Sequence, residues 1–406
     1  MLRTIIFLVL LSSSFSLFAQ EGCTDPVADN YDAAAVTNDG SCTYSYSPVQ
    51  IANLPGSLEE CSGLAFLEES GLWTHNDNPP NGNEDKLYRI DTVTGQILQT
   101  VLIATADNVD WEDLAQSEDY LYIGDFGNNS GGRMDLKVYR VKRSDLSANI
   151  VNAELIEFSF SDQTVFIHNN NDHNFDCEAF FFHKDSLHLF SKDWQDNRTR
   201  HYVLPATPGT HTAQLRGSFD VGGLITGADI NEDGVVTLLG YVPPGNTFMW
   251  LFYDYADTDY FSGNQRYVAL GSGVFNGQVE GICFRNKDYG YIGSEKFSVL
   301  NPKLLSFSIE KFTDFNVGTT PSILVDFGLT VYPNPVGEEL QIDFPEMLSG
   351  TIQLTLFNSV GQSIHQESLQ DANGKYQLNL ANLTAGWYQL SIQNGRQFQH
   401  IPLLKL

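Results

Sequence analysis

The sequence predicts an all-β fold, a five-bladed β-propeller followed by a small C-terminal β-sandwich. Between Cys61 and Ser294, a short apolar strand, a polar turn and a second strand ending in charged or amide residues recur every 50 to 65 residues or so, a spacing typical of propeller blades. After residue 329 the strands alternate in polarity, which favours a sandwich. The five copies begin at Cys61, Trp111, Cys177, Gly227 and Val279.

Each copy continues with further short strands that are rich in β-branched and aromatic residues and bounded by Gly, Asn or Asp. The fifth copy supplies only three strands before its pattern ends near residue 310. Residues 47–54 form a strand-like segment ahead of the first copy. We expect this segment to complete the fifth blade, because it would close the ring and pair an otherwise exposed sheet edge. The propeller then spans residues 47–312.

Residues 1–19 are typical of a secretory signal peptide, with Arg3 in a short basic start, an apolar run and a small-residue end before Gln20. The apolar run is too short to span a bilayer. A membrane anchor at this end is the alternative. No other stretch reaches membrane length, so we expect a soluble, exported protein with no transmembrane span in its mature chain.

The chain is strongly acidic, with a formal net charge of −28 and a pI near 4.4. Nucleic-acid phosphates require Lys and Arg, so nucleic acid is not an expected partner. The charge suits a surface that stays soluble outside the cell or one that collects cations.

Five cysteines divide into two kinds. Cys23 and Cys42 bracket a compact polar segment, residues 20–46, and an exported chain meets an oxidising compartment, so we expect them to pair. The other three lie in the first strands of three blades and are expected to be buried small hydrophobic residues. They are Cys61, Cys177 and Cys283.

Residues 22–44 contain Gly-Cys-Thr-Asp-Pro near the start and Asp-Gly-Ser-Cys near the end. This segment resembles a short disulfide-bracketed repeat of exported Bacteroidetes proteins. Its four aspartates could hold Ca²⁺ through oxygen ligands. Turn and cap chemistry explains the same residues. They are Asp25, Asp29, Asp32 and Asp39.

The tail, residues 329–406, contains Tyr332-Pro-Asn-Pro, Asn358-Ser-Val-Gly-Gln and Leu383-Thr-Ala-Gly-Trp-Tyr-Gln-Leu-Ser-Ile. Together these phrases resemble the C-terminal sorting domain of the type IX secretion system. The resemblance implies recognition by that machinery and carriage across the outer membrane to the cell surface or the medium. A carbohydrate-binding sandwich is the alternative. Residues 313–328 form the expected linker.

Aligned on their second residue, the five repeats read Ser62, Glu112, Glu178, Ala228 and Glu280. The first strand of each propeller blade lines the channel, so the three glutamates should face one another. Ionised carboxylates at close range repel unless something compensates them. Ca²⁺ accepts about six to eight oxygen ligands. The sequence thus predicts a calcium site, with backbone carbonyls from Ser62 and Ala228. Solvated acids, or acids paired with Lys192 and Lys296, are the alternative.

The phrases Trp111-Glu-Asp-Leu-Ala, Leu121-Tyr-Ile-Gly and Val279-Glu-Gly-Ile resemble the calcium-activated nucleotidases, or apyrases. These are five-bladed propellers with one Ca²⁺ in the channel, and the resemblance implies hydrolysis of diphosphates at that ion. It also implies carbonyl ligands at Ser62 and Ala228 and carboxylate ligands at the three glutamates. The family usually has serine where Ala228 stands.

Acidic and ammonium groups lie at the ends of the second strands, where the channel opens. Metal-assisted hydrolysis needs a carboxylate base and a cation that stabilises developing charge. Asp77 or Asp125 is the candidate base, and Lys192 or Lys296 the candidate cation. Turn capping and salt bridges at strand ends explain these four residues equally well.

Two functions therefore compete. The first is a secreted or surface-held calcium-dependent hydrolase of phosphate anhydrides or esters. The second is a non-catalytic propeller in which calcium is structural and the channel face binds a glycan, a peptide or a small molecule. The architecture alone does not choose between them, because propellers host many functions.

Overall fold

The structure is a computed structural model that describes residues 20–77, 85–166, 168–297, 300–313, 323–324, 327–358, 363–394 and 397–406. The predicted signal peptide and most of the predicted linker lie outside these residues. The chain divides into two compact units, Met1–Thr313 and Asp314–Leu406.

The N-terminal segment is held by a disulfide between Cys23 and Cys42, as predicted. Asp25 of this segment accepts hydrogen bonds from the Tyr44 hydroxyl and from Arg266, each at 2.7 Å. Asp32 and Asp39 accept backbone N–H groups two residues ahead, which is turn chemistry. The segment contains the strands β1 (Glu21–Gly22), β2 (Thr37–Asn38), β3 (Tyr44–Ser45) and β4 (Val49–Asn53).

Five consecutive sets of strands follow, and successive strands within each set pair antiparallel. Set 1 comprises β5 (Cys61–Leu67), β6 (Gly71–Asn76), β7 (Lys86–Ile90) and β8 (Ile97–Ile103). Set 2 comprises β9 (Trp111–Gln116), β10 (Tyr120–Asp125), β11 (Lys137–Lys142) and β13 (Glu154–Phe160), while the short β12 (Ile150–Val151) pairs with β8. Set 3 comprises β14 (Asp176–His183), β15 (Ser186–Lys192), β16 (Arg198–Pro205) and β17 (Gly209–Asp220).

Set 4 comprises β18 (Leu224–Ile230), β19 (Val236–Val242), β20 (Asn246–Tyr253) and β21 (Asn264–Ser272). Set 5 comprises β22 (Gln278–Phe284), β23 (Tyr289–Glu295) and β24 (Lys303–Ser308). Its fourth strand is β4, which pairs antiparallel with β24. The expectation that a strand from ahead of the first repeat completes the last one is thereby confirmed.

The first strands of the sets contact one another in cyclic order: β5 with β9, β9 with β14, β14 with β18, β18 with β22, and β22 with β5. The sets are therefore arranged in a ring. The outer edges of sets 2 and 3 also join, because β13 pairs in parallel with β17.

Hydrophobic clusters fill the space between successive sets. Trp73 of set 1 packs with Trp111 of set 2 in a fully buried cluster. Phe126 of set 2 and Phe180 of set 3 meet edge to face with ring centroids 5.1 Å apart. Burying such large rings is the main source of stability in this architecture.

The second unit has its own hydrophobic core, which includes Leu340, Ile352 and Leu390. Hydrogen bonds join its strands into one sheet in which β27 pairs with β26, β28 and β29. The two-sheet sandwich stays a prediction. The strands are β25 (Ile323–Leu324), β26 (Thr330–Tyr332), β27 (Glu339–Asn358), β28 (Ser363–Asn379), β29 (Gly386–Asn394) and β30 (Gln397–Lys405).

Helices are short. The α-helices are α1 (Gly273–Asn276) and α2 (Glu310–Thr313), and the 3₁₀ helices are Gly56–Leu58, Arg143–Ser147 and Tyr260–Ser262. Within the described ranges, no helix has the length and apolar character that crossing a bilayer requires.

Candidate metal centre

The pairing between the first two strands of every set is interrupted at the same place. The register between β14 and β15 shifts between Cys177 and Ala179, and that between β22 and β23 shifts between Val279 and Gly281. Such bulges turn a side chain out of the ordinary alternation of a strand. The residues in the five interruptions include Ser62, Glu112, Glu178, Thr226 and Glu280.

In set 4 the residue at the interruption is Thr226, and the sequence alignment that placed Ala228 there is wrong by two residues. Ala228 instead pairs with Leu238 within the regular ladder, and its N–H donates to Asp113. The hydroxyl of Thr226 donates to the carbonyl of Val279 at 2.9 Å. Ser62 makes the corresponding bond to the carbonyl of Glu112.

The backbone carbonyl of Ser62, a predicted ligand, lies against set 5. A Cβ added to Gly281 would come within 2.4 Å of that oxygen. The close approach of the two strands explains why glycine stands there. Ser62 and Thr226, the two repeat positions without a glutamate, therefore make contacts between neighbouring first strands.

The three predicted glutamates are buried, with exposed fractions of 4% for Glu112, 2% for Glu178 and 6% for Glu280. Burial raises the pKa of each carboxyl. The charge of Glu178 raises the pKa of Glu112 further, and that of Glu280 does the same for Glu178. The fold thus brings these three carboxyl groups into one electrostatic cluster.

A single buried ammonium group lies beside two of them. The Nζ atom of Lys192 is 3.0 Å from Oε1 of Glu178. Burial opposes the charge of Lys192, but Glu178 and Glu280 outweigh it, and the lysine pKa is raised well above its usual value. Glu280 also accepts a hydrogen bond of 2.8 Å from the Gln278 amide. The negative charge of Glu178 and Glu280 is therefore partly compensated.

In the other half of the cluster, burial raises the pKa of Asp110, while a hydrogen bond from Asp77 and the charge of Arg133 oppose the rise. Asp77, Asp110 and Glu112 each offer a carboxylate oxygen, and these oxygens lie within 4.8 Å of one another. Burial, and then the charge of Asp110, raises the pKa of Asp77 well above its usual value. Oε1 of Glu112 and Oδ1 of Asp77 are buried without a hydrogen-bond partner among the described residues. A cation fits such a donor set, because hard divalent ions prefer carboxylate oxygens.

Two of the predicted catalytic residues, Asp125 and Lys296, form ion pairs with residues outside the three glutamates. Asp125 is buried and paired with Arg133 at 2.9 Å and Lys137 at 3.5 Å. Lys296 is half-exposed, with its Nζ 2.6 Å from a carboxylate oxygen of Glu59. The structure therefore unites Asp77 and Lys192 with the glutamates, and it places Asp125 and Lys296 in separate ion pairs.

Sequence reasoning missed several acids at this mouth. Glu60, Asp110 and Asp176 each stand immediately before the opening residue of a repeat, and this shared offset is the signal that could have identified them. Glu295 ends β23. Burial, together with the charges of Glu280 and Glu60, raises the pKa of Glu295 to about 10.

Asp113 of set 2 is fully buried and bridges the first strands of neighbouring sets. Its carboxylate accepts N–H groups from Phe180 of set 3 and Ala228 of set 4. Asp229 bridges set 4 to Phe284 of set 5 in the same way, at 2.7 Å. The strand β18 ends at Ile230, and a turn follows in which the side-chain oxygen of Asn231 accepts the N–H groups of Asp233 and Val235.

Comparison with known proteins identifies the second unit. Residues 330–402 match the family described as the secretion system C-terminal sorting domain. The chain is therefore exported across the outer membrane to the cell surface or the extracellular space. This sorting domain implies interaction with the type IX secretion machinery.

Several solved structures resemble this chain at low sequence identity. No curated protein matches the chain. Similar solved structures include a "putative 6-phosphogluconolactonase" from Bacteroides uniformis, with 14% identity over 84% of this chain and 92% of that one and a TM-score of 0.32. The β-propeller domain of Myceliophteria thermophila Cps50 (Swd1) has 10% identity over 86% and 96%, with a TM-score of 0.32.

A quinonprotein alcohol dehydrogenase-like protein from Bacteroides thetaiotaomicron has 11% identity over 78% of this chain and 68% of that one, with a TM-score of 0.31. TM-scores this low carry no argument about fold, ligand or activity. The arrangement described above rests on the strand pairing and contacts of this chain.

Proposed function

We propose that this chain is an exported five-bladed β-propeller that binds Ca²⁺ at one mouth of its channel. The five sets of strands, the cyclic contacts of their first strands and the closure of set 5 by β4 support the propeller. The sorting domain accounts for the export.

One observation carries the calcium proposal. Glu112 is only 4% exposed, yet one of its carboxylate oxygens has no hydrogen-bond partner among the described residues and other carboxylates surround it. An uncompensated buried charge costs several kcal/mol or so, and the group takes a proton instead. A bound cation removes that cost. The mouth offers oxygen donors and neither His nor Cys in the cluster, which favours a hard ion such as Ca²⁺.

Calcium binding is tested by melting the purified chain from Gln20 onward after EGTA treatment and again with CaCl₂. A ligand that binds only the folded state at 100 times its Kd stabilises that state by about 2.7 kcal/mol. We expect calcium to raise the melting temperature and EGTA to reverse the change. MgCl₂ at the same concentration controls for ionic strength. Equal melting in calcium and in EGTA would refute the proposal.

The activity that we propose for this mouth is calcium-dependent hydrolysis of phosphate anhydrides or esters. Bound calcium would polarise a phosphoryl oxygen and make a nearby water more acidic. In this proposal Asp77 would accept a proton from that water. Lys192 carries the ammonium charge that would stabilise negative charge developing on the phosphoryl group. Its 3.0 Å contact with Glu178 holds the ammonium group in place.

The non-catalytic alternative has an observation in its favour. Both predicted cations are already ion-paired, Lys192 with Glu178 and Lys296 with Glu59. In that case calcium stabilises the ring, and the channel face binds a glycan, a peptide or a small molecule.

A substrate screen separates the two functions. Nucleoside diphosphates, nucleoside triphosphates and p-nitrophenyl phosphate are incubated with the full chain in CaCl₂ or EGTA, and with the variant Lys192→Met. Calcium-dependent phosphate release that falls at least about tenfold in Lys192→Met supports catalysis. Calcium-dependent melting without phosphate release supports the non-catalytic function. The variant Lys296→Met is the matched control, because its ammonium group lies on the surface with Glu59.

A further inference from the structure

The acidic mouth has two unlike halves. Around Glu178 and Glu280 the charge is offset by Lys192 and by the amide of Gln278. Around Glu112 the carboxyl groups of Asp77 and Asp110 add to that of Glu178, and the ion pairs of the described residues include neither aspartate. The ammonium group of Lys192 therefore pairs with Glu178 rather than with either aspartate.

We propose that the cation lies off the axis, between sets 1 and 2, where Asp77, Asp110 and Glu112 hold it, while Lys192 is the built-in cation of the other half. This inference rests on the proposed calcium binding and states which residues form the site. Asp77 follows the end of β6, Asp110 precedes β9 and Glu112 lies in its bulge. Two neighbouring sets thus supply all three carboxylates.

The unpartnered oxygens give independent support. Oε1 of Glu112 and Oδ1 of Asp77 are both shielded from solvent without a hydrogen-bond partner among the described residues. Buried polar atoms are nearly always satisfied in folded proteins. Two unsatisfied carboxylate oxygens within one group of three acids indicate that a ligand belongs there.

Gly127 leaves room for the carboxylates of Glu112 and Asp110 to lie side by side. A Cβ added to this residue would lie 2.0 Å from Oε1 of Glu112 and 2.6 Å from the carboxyl carbon of Asp110. Any larger residue would press on the two carboxylates. The N–H of Gly127 donates to the Asp110 carbonyl at 3.2 Å, and its own carbonyl accepts from Arg133 at 2.8 Å, so its position is fixed from both sides.

Asp125 acts as a positioning residue for this site. Its Oδ1 accepts the backbone N–H of Asp110 at 3.2 Å and a side-chain hydrogen bond from Arg133 at 2.9 Å. The same arginine holds Gly127. Asp125 and Arg133 therefore link the backbone on both sides of the three carboxylates and orient them without belonging to the donor set.

An axial position is disfavoured by charge. A divalent ion shared by Glu178 and Glu280 would lie close to the ammonium group of Lys192, which already contacts Glu178 at 3.0 Å. Two positive charges at such range repel strongly in a buried site. Off the axis, the ion would lie among three carboxylates that form no ion pair with Lys192.

The test compares two matched substitutions, Asp110→Asn and Glu280→Gln, each of which removes one charge and keeps the side-chain volume. Calcium binding to the full chain is measured by titration calorimetry after EGTA treatment, and folding is checked by circular dichroism. We expect Asp110→Asn to weaken calcium binding at least about tenfold and Glu280→Gln to change it less than about threefold.

The reverse order, or equal losses in both variants, would overturn the off-axis site while leaving calcium binding itself intact. Absence of calcium binding in the unmodified chain would instead refute the proposed function. If Asp110→Asn does not fold, Gly127→Ala replaces it, since the added methyl group would press on the carboxylates of Glu112 and Asp110. Full calcium affinity in folded Gly127→Ala would also overturn the inference.

Discussion

The Oδ2 atom of Asp113 lies 3.1 Å from the backbone nitrogen of Phe180, a residue on the first strand of the next set. The same oxygen accepts the N–H of Ala228, one set further, at 3.3 Å. One buried carboxylate therefore ties together the first strands of three sets. Burial raises the pKa of Asp113 well above its usual value, and these backbone donors oppose the rise.

Asp113→Ala is expected to destabilise the ring by about 3 kcal/mol, because it leaves buried N–H groups without an acceptor. Asp113→Asn keeps one acceptor oxygen and should cost less. Glu154→Ala is the control, since Glu154 is 52% exposed and its surface pair with Arg140 contributes less than about 1 kcal/mol. Urea unfolding of the three variants measures these differences. Equal stabilities for Asp113→Ala and Glu154→Ala would contradict the bridging role.

His188 and His201 make stability sensitive to acid. Nδ1 of His188 lies 2.9 Å from Nε2 of His201. Burial lowers the pKa of His188 from 6.5 to about 4, and burial followed by the neighbouring charge of His188 lowers that of His201 to about 3. The folded state then binds fewer protons than the unfolded state. The contribution of the two histidines to the free energy of unfolding is therefore complete above about pH 6.5. It is lost as the pH falls, by roughly 3 kcal/mol for each group at pH 4.

Buried carboxyls act in the opposite direction, because burial raises the pKa of Asp229 to about 7. The net slope of the unmodified chain therefore mixes both effects, and the histidine part is isolated by the double variant His188→Phe with His201→Phe. Unfolding free energies measured between pH 4.5 and 7 should fall less on acidification in the double variant. Identical slopes would show that the two histidines do not carry the effect.

Because the chain divides into two compact units, we expect the first unit to fold without the second. A chain that ends at Thr313 keeps every strand of the five sets and should melt within a few degrees of the full chain, because the second unit has its own core. Without the sorting domain it should remain inside a host that has the type IX machinery. Cell fractionation and circular dichroism check the two parts. Normal export of the shortened chain would contradict the sorting role of the tail.

The disulfide should hold the N-terminal segment to the ring. Cys23 and Cys42 are 19 residues apart, and a disulfide that closes a loop of this size contributes about 3 kcal/mol to the part it constrains. In the double variant Cys23→Ala with Cys42→Ala we expect limited proteolysis within residues 20–46 before any cleavage of the ring. Cys283→Ala, which removes a buried free thiol, is the comparison and should leave this segment resistant.

Much of the fold is visible in the sequence. The strand pattern predicts the repeats, the missing strand of the fifth repeat predicts the pairing of β4 with β24, and the paired cysteines predict the disulfide. These features depend on local residue pattern and chain order. The alignment error at Ala228 arose because a bulge shifts the register. The correct alignment was visible in the sequence, since Thr226-Gly227 repeats the pair of a hydroxyl residue and a glycine found at Ser62-Gly63.

The sequence by itself determined that acids would gather at the channel mouth, since Glu112, Glu178 and Glu280 recur at one repeat position. Only the tertiary structure decided how their charges are shared. In the folded chain, Lys192 forms an ion pair with Glu178, and Asp77 and Asp110 lie beside Glu112. Electrostatic interaction depends on distance and burial, and both are decided by how separate strands pack rather than by the order of residues along the chain.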